Sequence, residues 1–278
     1  MNILFCGDGR IADGVLIATL SLLENTSEDV DVFILTASFE HEGKKYGGLS
    51  PDFARFLRDD VCKGRCGVRL FDITPLFEAE PPKANMDTRF TPCCMLRLYA
   101  DLVAELPDKL LYLDNDVVCR RDPAEFYGQD VEKYELAGVL DYYGSWFFRS
   151  RPAKPKRDYL NSGVLLLNMK KIRETGLFAA CRARCESEKM FMPDQTAINK
   201  LVRFRKICPR RFNEQRRTRP DTVFRHFTTT FRLFPKFRTV TVKPWDVDRM
   251  HTVLSEHGFD SLLNDFLGYK ALYSAGEV

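Results

Sequence analysis

Short apolar runs alternate with helical patterns along most of the chain, and this alternation restricts the fold more than any other feature. The apolar runs of strand length span residues 3–6, 30–35, 68–73, 110–113, 136–141 and 163–168. Helical spacing of apolar side chains covers residues 12–25, 51–62, 96–106, 170–189, 194–202, 246–257 and 260–272. A repeated strand–helix order is typical of a mostly parallel α/β sheet with helices on both faces.

The chain of 278 residues is long enough for one large domain. Its 45% hydrophobic and 29% charged residues exclude a disordered or collagen-like chain. We predict one α/β domain over residues 1–245, followed by a small helical appendage over residues 246–278.

The first residues and the cysteines bear on the compartment. The chain opens with a strand-like apolar run at residues 2–6, without the basic region and long apolar core of a signal peptide. The nine cysteines do not follow the regular spacing of a secreted, disulfide-bonded domain. No histidine lies near either CxxxC pair, Cys62/Cys66 or Cys181/Cys185, which argues against a zinc site there. We therefore expect a cytoplasmic protein with reduced thiols.

The most informative segment is an apolar strand that runs directly into two aspartates. Residues 110–113 (LLYL) are followed by Asp114, Asn115 and Asp116. Ligands of open α/β sheets bind beyond the carboxyl ends of the strands, and carboxylates two residues apart point to the same side of an extended chain. A divalent cation relieves the repulsion between such carboxylates, although a pair of turn or capping residues has the same spacing.

Further polar residues follow other predicted elements. Asp8 follows the first strand in a Gly-Asp-Gly turn that is not a dinucleotide fingerprint. Asn161 precedes an apolar strand, and Asp194 and Gln195 open a helix, where Asp194 also suits an N-cap. His226 follows a short apolar run and suits either a structural role or a third metal ligand.

These segments, in collinear order, resemble glycosyltransferase family 8, the retaining galactosyl- and glucosyltransferases of the bacterial lipooligosaccharide type. The resemblance covers nearly the whole chain and rests on residues 1–9, Thr91-x5-Arg97-Leu98, residues 111–116 (LYLDND), residues 159–173 (YLNSGVLLLNMKKIR), Asp194-Gln195 and residues 223–227 (VFRHF). It implies a GT-A fold, a UDP-sugar donor and a divalent metal ion, manganese or magnesium.

The resemblance also implies roles for individual residues. It makes Asp114, Asp116 and His226 the metal ligands, with Asp116 also near the ribose and diphosphate. It makes Asp8 a nucleotide contact. Sugar contacts fall on Arg97, Asn161, Asp194 and Gln195, of which Asn161, Asp194 and Gln195 are the predicted catalytic set. In such enzymes a diphosphate oxygen helps to deprotonate the acceptor on the same face of the sugar.

Two positions depart from the family pattern. Arg10 stands where the family has residues for the uracil, and it suits either stacking on the base or pairing with a phosphate. In the phosphate-binding segment Arg232 lies at the spacing of the family's lysine, and Lys243 follows later. A guanidinium binds phosphate through two donors where lysine acts as a point charge, so we favour Arg232 and keep Lys243 as the alternative.

Charge is distributed unevenly along the chain. Residues 203–243 carry 13 Lys/Arg against two acidic residues, although the net charge of the whole chain is only +3. The part from Arg203 to Arg219 lies outside the family motifs and suits either a solvated face or peripheral contact with anionic lipid at the inner face of the plasma membrane. No nucleic-acid motif accompanies it, and we expect no nucleic-acid partner.

The sequence therefore predicts a metal-dependent retaining hexosyltransferase that moves glucose or galactose from UDP-glucose or UDP-galactose to a glycan or lipid-linked acceptor. Two alternatives remain open, a non-catalytic nucleotide-sugar or glycan-binding protein and a sugar-1-phosphate nucleotidyltransferase. Residues 142–158, with Trp146, Phe147 and Phe148, suit either an acceptor-binding loop or a packed loop. The sequence does not choose the donor sugar, the acceptor or the oligomeric state.

Overall fold

A central mixed sheet organises the chain in the computed structural model, which describes residues 1–88, 91–144, 158–232 and 238–276; at residues 231, 232 and 238 it describes the backbone alone. The strands, in chain order, are β1 (Asn2–Cys6), β2 (Val30–Thr36), β3 (Phe39–His41), β4 (Lys44–Tyr46), β5 (Cys66–Asp72), β6 (Lys109–Leu113), β7 (Val117–Cys119), β8 (Leu136–Leu140), β9 (Leu160–Asn168), β10 (Arg205–Ile207), β11 (Phe224–His226), β12 (Thr230–Arg232) and β13 (Arg238–Val240).

The central sheet has the order β10-β8-β9-β6-β1-β2-β5. Neighbouring strands are parallel except at β9, which runs antiparallel to both β8 and β6. The mostly parallel sheet predicted from the strand–helix alternation is confirmed. Three two-stranded pairs accompany it: β3 with β4, β7 with β11, and β12 with β13.

Alternate side chains of the central strands enter two apolar clusters on opposite faces of the sheet. In β6, Leu111 and Leu113 belong to one cluster, and Leu110 and Tyr112 belong to the other. This alternation follows from the two-residue period of a strand and explains the continuous apolar runs, since both faces of a covered parallel sheet are buried.

Helices cover both faces. They are α1 (Ala12–Asn25), α2 (Pro51–Phe56), α3 (Thr74–Ala79), α4 (Ala124–Tyr127), α5 (Met169–Thr175), α6 (Leu177–Ser187), α7 (Pro193–Leu201), α8 (Val247–Thr252) and α9 (Asp260–Gly276). Shorter 3-10 segments span Gly9–Ile11, Lys83–Asn85 and Arg210–Phe212, and a π-helical turn spans Leu57–Cys62.

Two helices differ from their predicted form. The helix predicted over residues 96–106 is a 3-10 helix over Pro92–Leu102, which begins at a proline, where the missing N–H is not needed. The single helix predicted over residues 170–189 is broken at Gly176, which takes a left-handed conformation (φ 68°) that ends α5 and precedes α6.

The expectation of reduced cysteines is wrong for one pair. Cys62 and Cys66 form a disulfide, with their Cα atoms 5.3 Å apart. Lys63 and Gly64 between them have positive φ (49° and 83°), and this tight turn brings the two thiols together. The other seven cysteines are free thiols.

The last two helices pack on the same core as the rest of the chain. Met250 of α8 and Leu262, Leu263 and Phe266 of α9 join the apolar cluster that contains α1. The domain boundary predicted at residue 245 stays a prediction. None of the described helices has the length and apolar character needed to span a membrane.

Candidate active site

The predicted site residues meet at one edge of the central sheet. The carboxyl ends of β1, β6 and β8 and the first residues of the antiparallel β9 lie at this edge. A cleft of about 820 Å³ opens there. It is lined by every predicted site residue whose side chain the structure describes: Asp8, Arg10, Arg97, Asp114, Asp116, Asn161, Asp194, Gln195, His226 and Lys243.

Backbone pairing brings His226 to the two aspartates of the DxD segment. The turn after β6 is closed by a bond from Val117 N to Asp114 O (3.1 Å), and β7 then pairs antiparallel with β11, which places His226 opposite Val117. His226 Nε2 lies 3.2 Å from Asp116 Oδ1 and 3.7 Å from Asp114 Oδ2. Ligand atoms that share one small divalent cation lie about 3 Å apart, so this donor set fits a metal ion.

Gly163 leaves room for this cluster. A Cβ atom at position 163 would lie 2.7 Å from His226 Nδ1 and 2.8 Å from Asp114 Oδ2. Real Cβ atoms do not approach other atoms this closely, so any larger residue would displace the histidine or the aspartate. The glycine of the Asn161-Ser162-Gly163 motif is therefore explained by close approach.

Asp116 is a buried carboxylate that lies between two basic side chains of the cleft. Its Oδ2 accepts a hydrogen bond from Lys243 Nζ, while its Oδ1 faces His226. Burial by itself would raise the pKa of Asp116, but the ammonium of Lys243 and the adjacent imidazole of His226 outweigh burial and hold that pKa well below its ordinary value. Asp116 is therefore a permanent anion at any physiological pH.

Arg97 lies beneath the cleft and joins two of its acids. This buried guanidinium donates to Asp114 Oδ1 (2.8 Å) and to the Ser162 carbonyl (2.6 Å), and it lies 3.2 Å from Asp194 Oδ2. Tyr112 supports the same oxygen of Asp114 from its hydroxyl (2.6 Å). Arg97 thus fixes the orientation of Asp114 and compensates two negative charges.

Asp194 is not the N-cap of its helix. The capping position of α7 is Met192, and Asp194 lies in the first turn, buried beside Arg97. Burial and the nearby charge of Asp114 raise the pKa of Asp194, whereas Arg97 lowers it, and the net direction is upward. The Asp194 carboxylate consequently depends on Arg97 for its charge.

Asn161 and Gln195 form one wall of the cleft, called here the amide wall. Gln195 Oε1 accepts from Ser162 N (2.9 Å) and Ser162 Oγ (3.2 Å). Asn161 Nδ2 donates to Asp141 Oδ2 (2.9 Å), and Gln195 Nε2 approaches the same oxygen at 3.4 Å. Asp141 was not predicted as a site residue. It directly follows the apolar strand β8, as Asp114 follows β6, and its position at the end of β8 is the sequence feature that could have identified it.

Asp8 and Arg10 lie at the other end of the cleft. Asp8 caps the 3-10 segment Gly9–Ile11 by accepting from Arg10 N (3.1 Å), and its carboxylate also accepts from Arg10 Nε (2.9 Å). The Arg10 guanidinium lies over the Tyr46 ring, 5.3 Å from its centroid. Asp8 is buried and Arg10 is half-exposed, so the pair presents a cation at the mouth of the cleft.

Some predicted residues lie outside the described part. The side chain of Arg232, at the end of β12, is one of them, and so are Trp146, Phe147 and Phe148. Two buried residues that the sequence analysis did not single out, Tyr112 and Asn213, contact Asp114 and His226, respectively.

A mostly parallel α/β sheet with a DxD turn and a cleft at the carboxyl edge is the GT-A architecture. Solved structures agree, since the fold is similar to that of the galactosyltransferase LgtC in complex with donor and acceptor sugar analogs, with a TM-score of 0.67 over 96% of this chain and 95% of that one at 21% identity. The fold is thus of the GT-A class.

The family follows from the sequence comparison. The model of "Glycosyl transferase family 8" matches residues 2–214, more than half of the chain, so the chain belongs to glycosyltransferase family 8 and is a glycosyltransferase. It is 25% identical over 244 residues to the lipopolysaccharide 1,2-glucosyltransferase of Escherichia coli, covering 77% of this chain and 67% of that protein. It is also 28% identical over 132 residues to glucoside xylosyltransferase 1 of Gallus gallus, covering 45% and 30%. The family predicted from the motifs is confirmed.

Proposed function

We propose that the protein is a metal-dependent retaining hexosyltransferase that moves glucose or galactose from UDP to a glycan or lipid-linked acceptor. One observation carries this proposal: the imidazole of His226 lies within 3.7 Å of both Asp114 and Asp116, in the same cleft as Lys243 and the amide wall. The names of similar proteins support it, since one is a lipopolysaccharide glucosyltransferase and another is a galactosyltransferase bound to donor and acceptor sugar analogs.

Asp114, Asp116 and His226 would hold Mn²⁺ or Mg²⁺. Two carboxylates and one imidazole suit such a cation, since hard cations prefer oxygen and imidazole suits many transition metals. A divalent ion held there supplies positive charge that stabilises a leaving diphosphate. The chain contributes the fixed orientation of the carboxylates, through Arg97, Tyr112 and Lys243.

Lys243 is the residue that we propose for the diphosphate. Its ammonium reaches the cleft and pairs with Asp116, the carboxylate that faces His226. A one-third exposed lysine at this position has donors to spare for a phosphate oxygen. The assignment of Arg232 to the same role stays a prediction.

Asp8 and Arg10 would hold the nucleoside, and the amide wall would hold the sugar. Asn161, Asp194 and Gln195 are buried and already bonded within the protein, so their contribution is a rigid polar surface for sugar hydroxyls. Preorganised donors and acceptors of this kind stabilise developing charge without reorganisation. The proton of the acceptor hydroxyl would pass to a diphosphate oxygen on the same face, so no side-chain nucleophile is needed.

A panel of UDP-sugars tests the proposal. Protein stripped with EDTA is supplied with UDP-glucose, UDP-galactose and other UDP-sugars, with and without Mn²⁺, and release of UDP is measured. We expect Mn²⁺-dependent turnover of a UDP-hexose and a loss of about a hundredfold or more in Asp114→Asn, which removes a proposed ligand. Asp87→Asn, at an exposed aspartate that pairs with His41, is the control.

Each other result has a defined meaning. Undiminished turnover by Asp114→Asn would contradict the metal assignment. UDP binding without turnover of any sugar would favour a non-catalytic binding protein. Release of pyrophosphate from a sugar 1-phosphate and UTP would favour a nucleotidyltransferase.

We also propose that part of the basic segment contacts anionic lipid. Arg210 and Arg211 pair with acidic side chains of the protein itself. The part of the segment that also exposes apolar side chains is the edge strand β10 and the residue before it. There Phe204 and Ile207 are 49% and 43% exposed among basic residues, and apolar side chains beside cations suit an anionic membrane surface. Location in the cytoplasm stays a prediction.

Sedimentation with vesicles tests this contact. We expect binding to vesicles that contain phosphatidylserine at low salt, weaker binding at high salt, and a loss of binding in Phe204→Ser but not in Leu102→Ser, which changes another exposed apolar residue. Equal binding to neutral vesicles, or no binding at low salt, would contradict it.

A further inference from the structure

A buried chain of hydrogen bonds connects the amide wall with the proposed metal ligands. Asn161 Nδ2 donates to Asp141 Oδ2 (2.9 Å), and Asn213 Nδ2 donates to Asn161 Oδ1 (2.9 Å). Asn213 Oδ1 then lies 3.2 Å from His226 Nδ1. All four side chains are buried, and Asn213 has no exposed surface at all.

The direction of every bond in this chain is fixed by the carboxylate of Asp141 at one end. A carboxylate only accepts, so the Asn161 amide must turn its nitrogen toward Asp141. The backbone N–H of Gly163 donates to the other end of that amide (3.0 Å), which confirms that Asn161 Oδ1 is the acceptor there. Asn213 must therefore turn its nitrogen toward Asn161.

The same orientation leaves the oxygen of Asn213 facing His226. An amide oxygen only accepts, so the hydrogen bond requires a proton on Nδ1 of the imidazole. The opposite nitrogen, Nε2, is then the one that faces Asp114 and Asp116 and is able to release its proton to bind a metal.

We infer that Asn213 is a positioning residue that keeps Nδ1 of His226 protonated and thereby presents Nε2 to the metal. The inference rests on the proposed function only in giving His226 a metal to bind. Without the Asn213 oxygen, a buried Nδ1–H has no acceptor, whereas Nε2–H still has Asp116 Oδ1 at 3.2 Å. The ring would then favour the tautomer that blocks the metal-facing nitrogen.

The backbone holds Asn213 in this place. The segment that follows the 3-10 turn Arg210–Phe212 runs beside β11, where Glu214 N donates to Phe224 O and His226 N donates to Glu214 O, both at 2.9 Å. This pairing fixes the Asn213 side chain against the imidazole. Groups that orient a metal-binding histidine through its other nitrogen typically change metal affinity 10- to 100-fold when they are removed.

The test combines a spectrum with a metal titration. Protein labelled with ¹⁵N at its four histidines is examined without metal at pH 7.5, and His226→Asn assigns the His226 signals. We expect a protonated Nδ1 in the wild type. In Asn213→Leu, which is close in volume and offers no acceptor, we expect Nδ1 to lose its proton in part of the molecules and Mn²⁺ affinity to fall by about 10- to 100-fold.

Asn85→Leu is the matched control, since Asn85 is another fully buried asparagine and its side chain bonds to residues 185–190, away from His226. It should change neither the His226 signals nor Mn²⁺ affinity. An unprotonated Nδ1 in the wild type, or wild-type Mn²⁺ affinity in folded Asn213→Leu, would overturn the inference. If Asn213→Leu does not fold, the wild-type spectrum by itself tests the inference. A failure of the wild type to bind Mn²⁺ would instead count against the proposed function.

Discussion

Replacing Arg97 with methionine should destabilise the protein severely and make its stability depend on pH. Arg97 and Asp194 have only 5% and 7% of their side chains exposed, and the same guanidinium also neutralises Asp114. Removal of one partner of a buried ion pair leaves an uncompensated charge and costs about 3–5 kcal/mol. Methionine fills much of the space, so lost packing contributes little to this value.

The pH dependence follows from Asp194. Burial already raises its pKa above the ordinary 3.8 and Arg97 opposes that shift, so Arg97→Met should raise the pKa further. Between 3.8 and the raised value the native state holds a proton that the unfolded chain releases, and the free energy of unfolding therefore increases as the pH falls through this window. Part of the deficit measured at pH 8 should consequently be recovered at pH 5.5.

Urea unfolding followed by circular dichroism measures both effects. Arg55→Met is the control, because Arg55 and Asp52 form an exposed ion pair for which about 0–1 kcal/mol is expected. A cost for Arg97→Met no larger than that of Arg55→Met, or a deficit equal at pH 8 and pH 5.5, would refute the electrostatic account of Arg97.

Three further predictions concern the cleft and the thiols. Lys243→Gln should weaken UDP binding in calorimetry by about 10- to 100-fold, since a charge-assisted hydrogen bond contributes about 1.5–3 kcal/mol; unchanged affinity would remove Lys243 from the diphosphate site. Cys93 lines the cleft, but burial and the charge of Asp8 raise its pKa to about 12. Iodoacetamide at pH 7.5 should therefore not modify Cys93 in the native protein, and rapid modification would contradict the burial of this thiol. Alkylation of denatured, unreduced protein should label seven cysteines by mass spectrometry and spare Cys62 and Cys66, whereas labelling of all nine would contradict the disulfide.

The sequence predicts the central strands well because most of them are buried on both faces. Predicted and observed bounds for β1, β2, β6 and α1 agree within one or two residues. By contrast, β10 was not predicted, since its three residues, Arg205, Lys206 and Ile207, include two cations and give no apolar run.

The site was predictable where one strand end carries the signal. Asp114 and Asp116 follow β6 directly, so the position of the strand places them at the sheet edge. His226 required the family resemblance, because its approach to Asp116 depends on pairing between two three-residue strands, β7 and β11, far apart in the chain. Asn213 gave no signal at all, since nothing local distinguishes an asparagine after a basic 3-10 turn from a solvated loop residue.

The central claim is that Asp114, Asp116 and His226 hold the divalent ion, and Mn²⁺ binding in the presence of UDP tests it most directly. Two surface clusters, His251/His257/Asp260 and His41/Glu42/Asp87, offer competing sets of donors, so binding alone does not locate the ion. Free Mn²⁺ is therefore measured by electron paramagnetic resonance for the wild type, His226→Ala and Asp260→Asn. We predict one tight site that His226→Ala abolishes and Asp260→Asn preserves; tight binding that survives in His226→Ala would contradict the account.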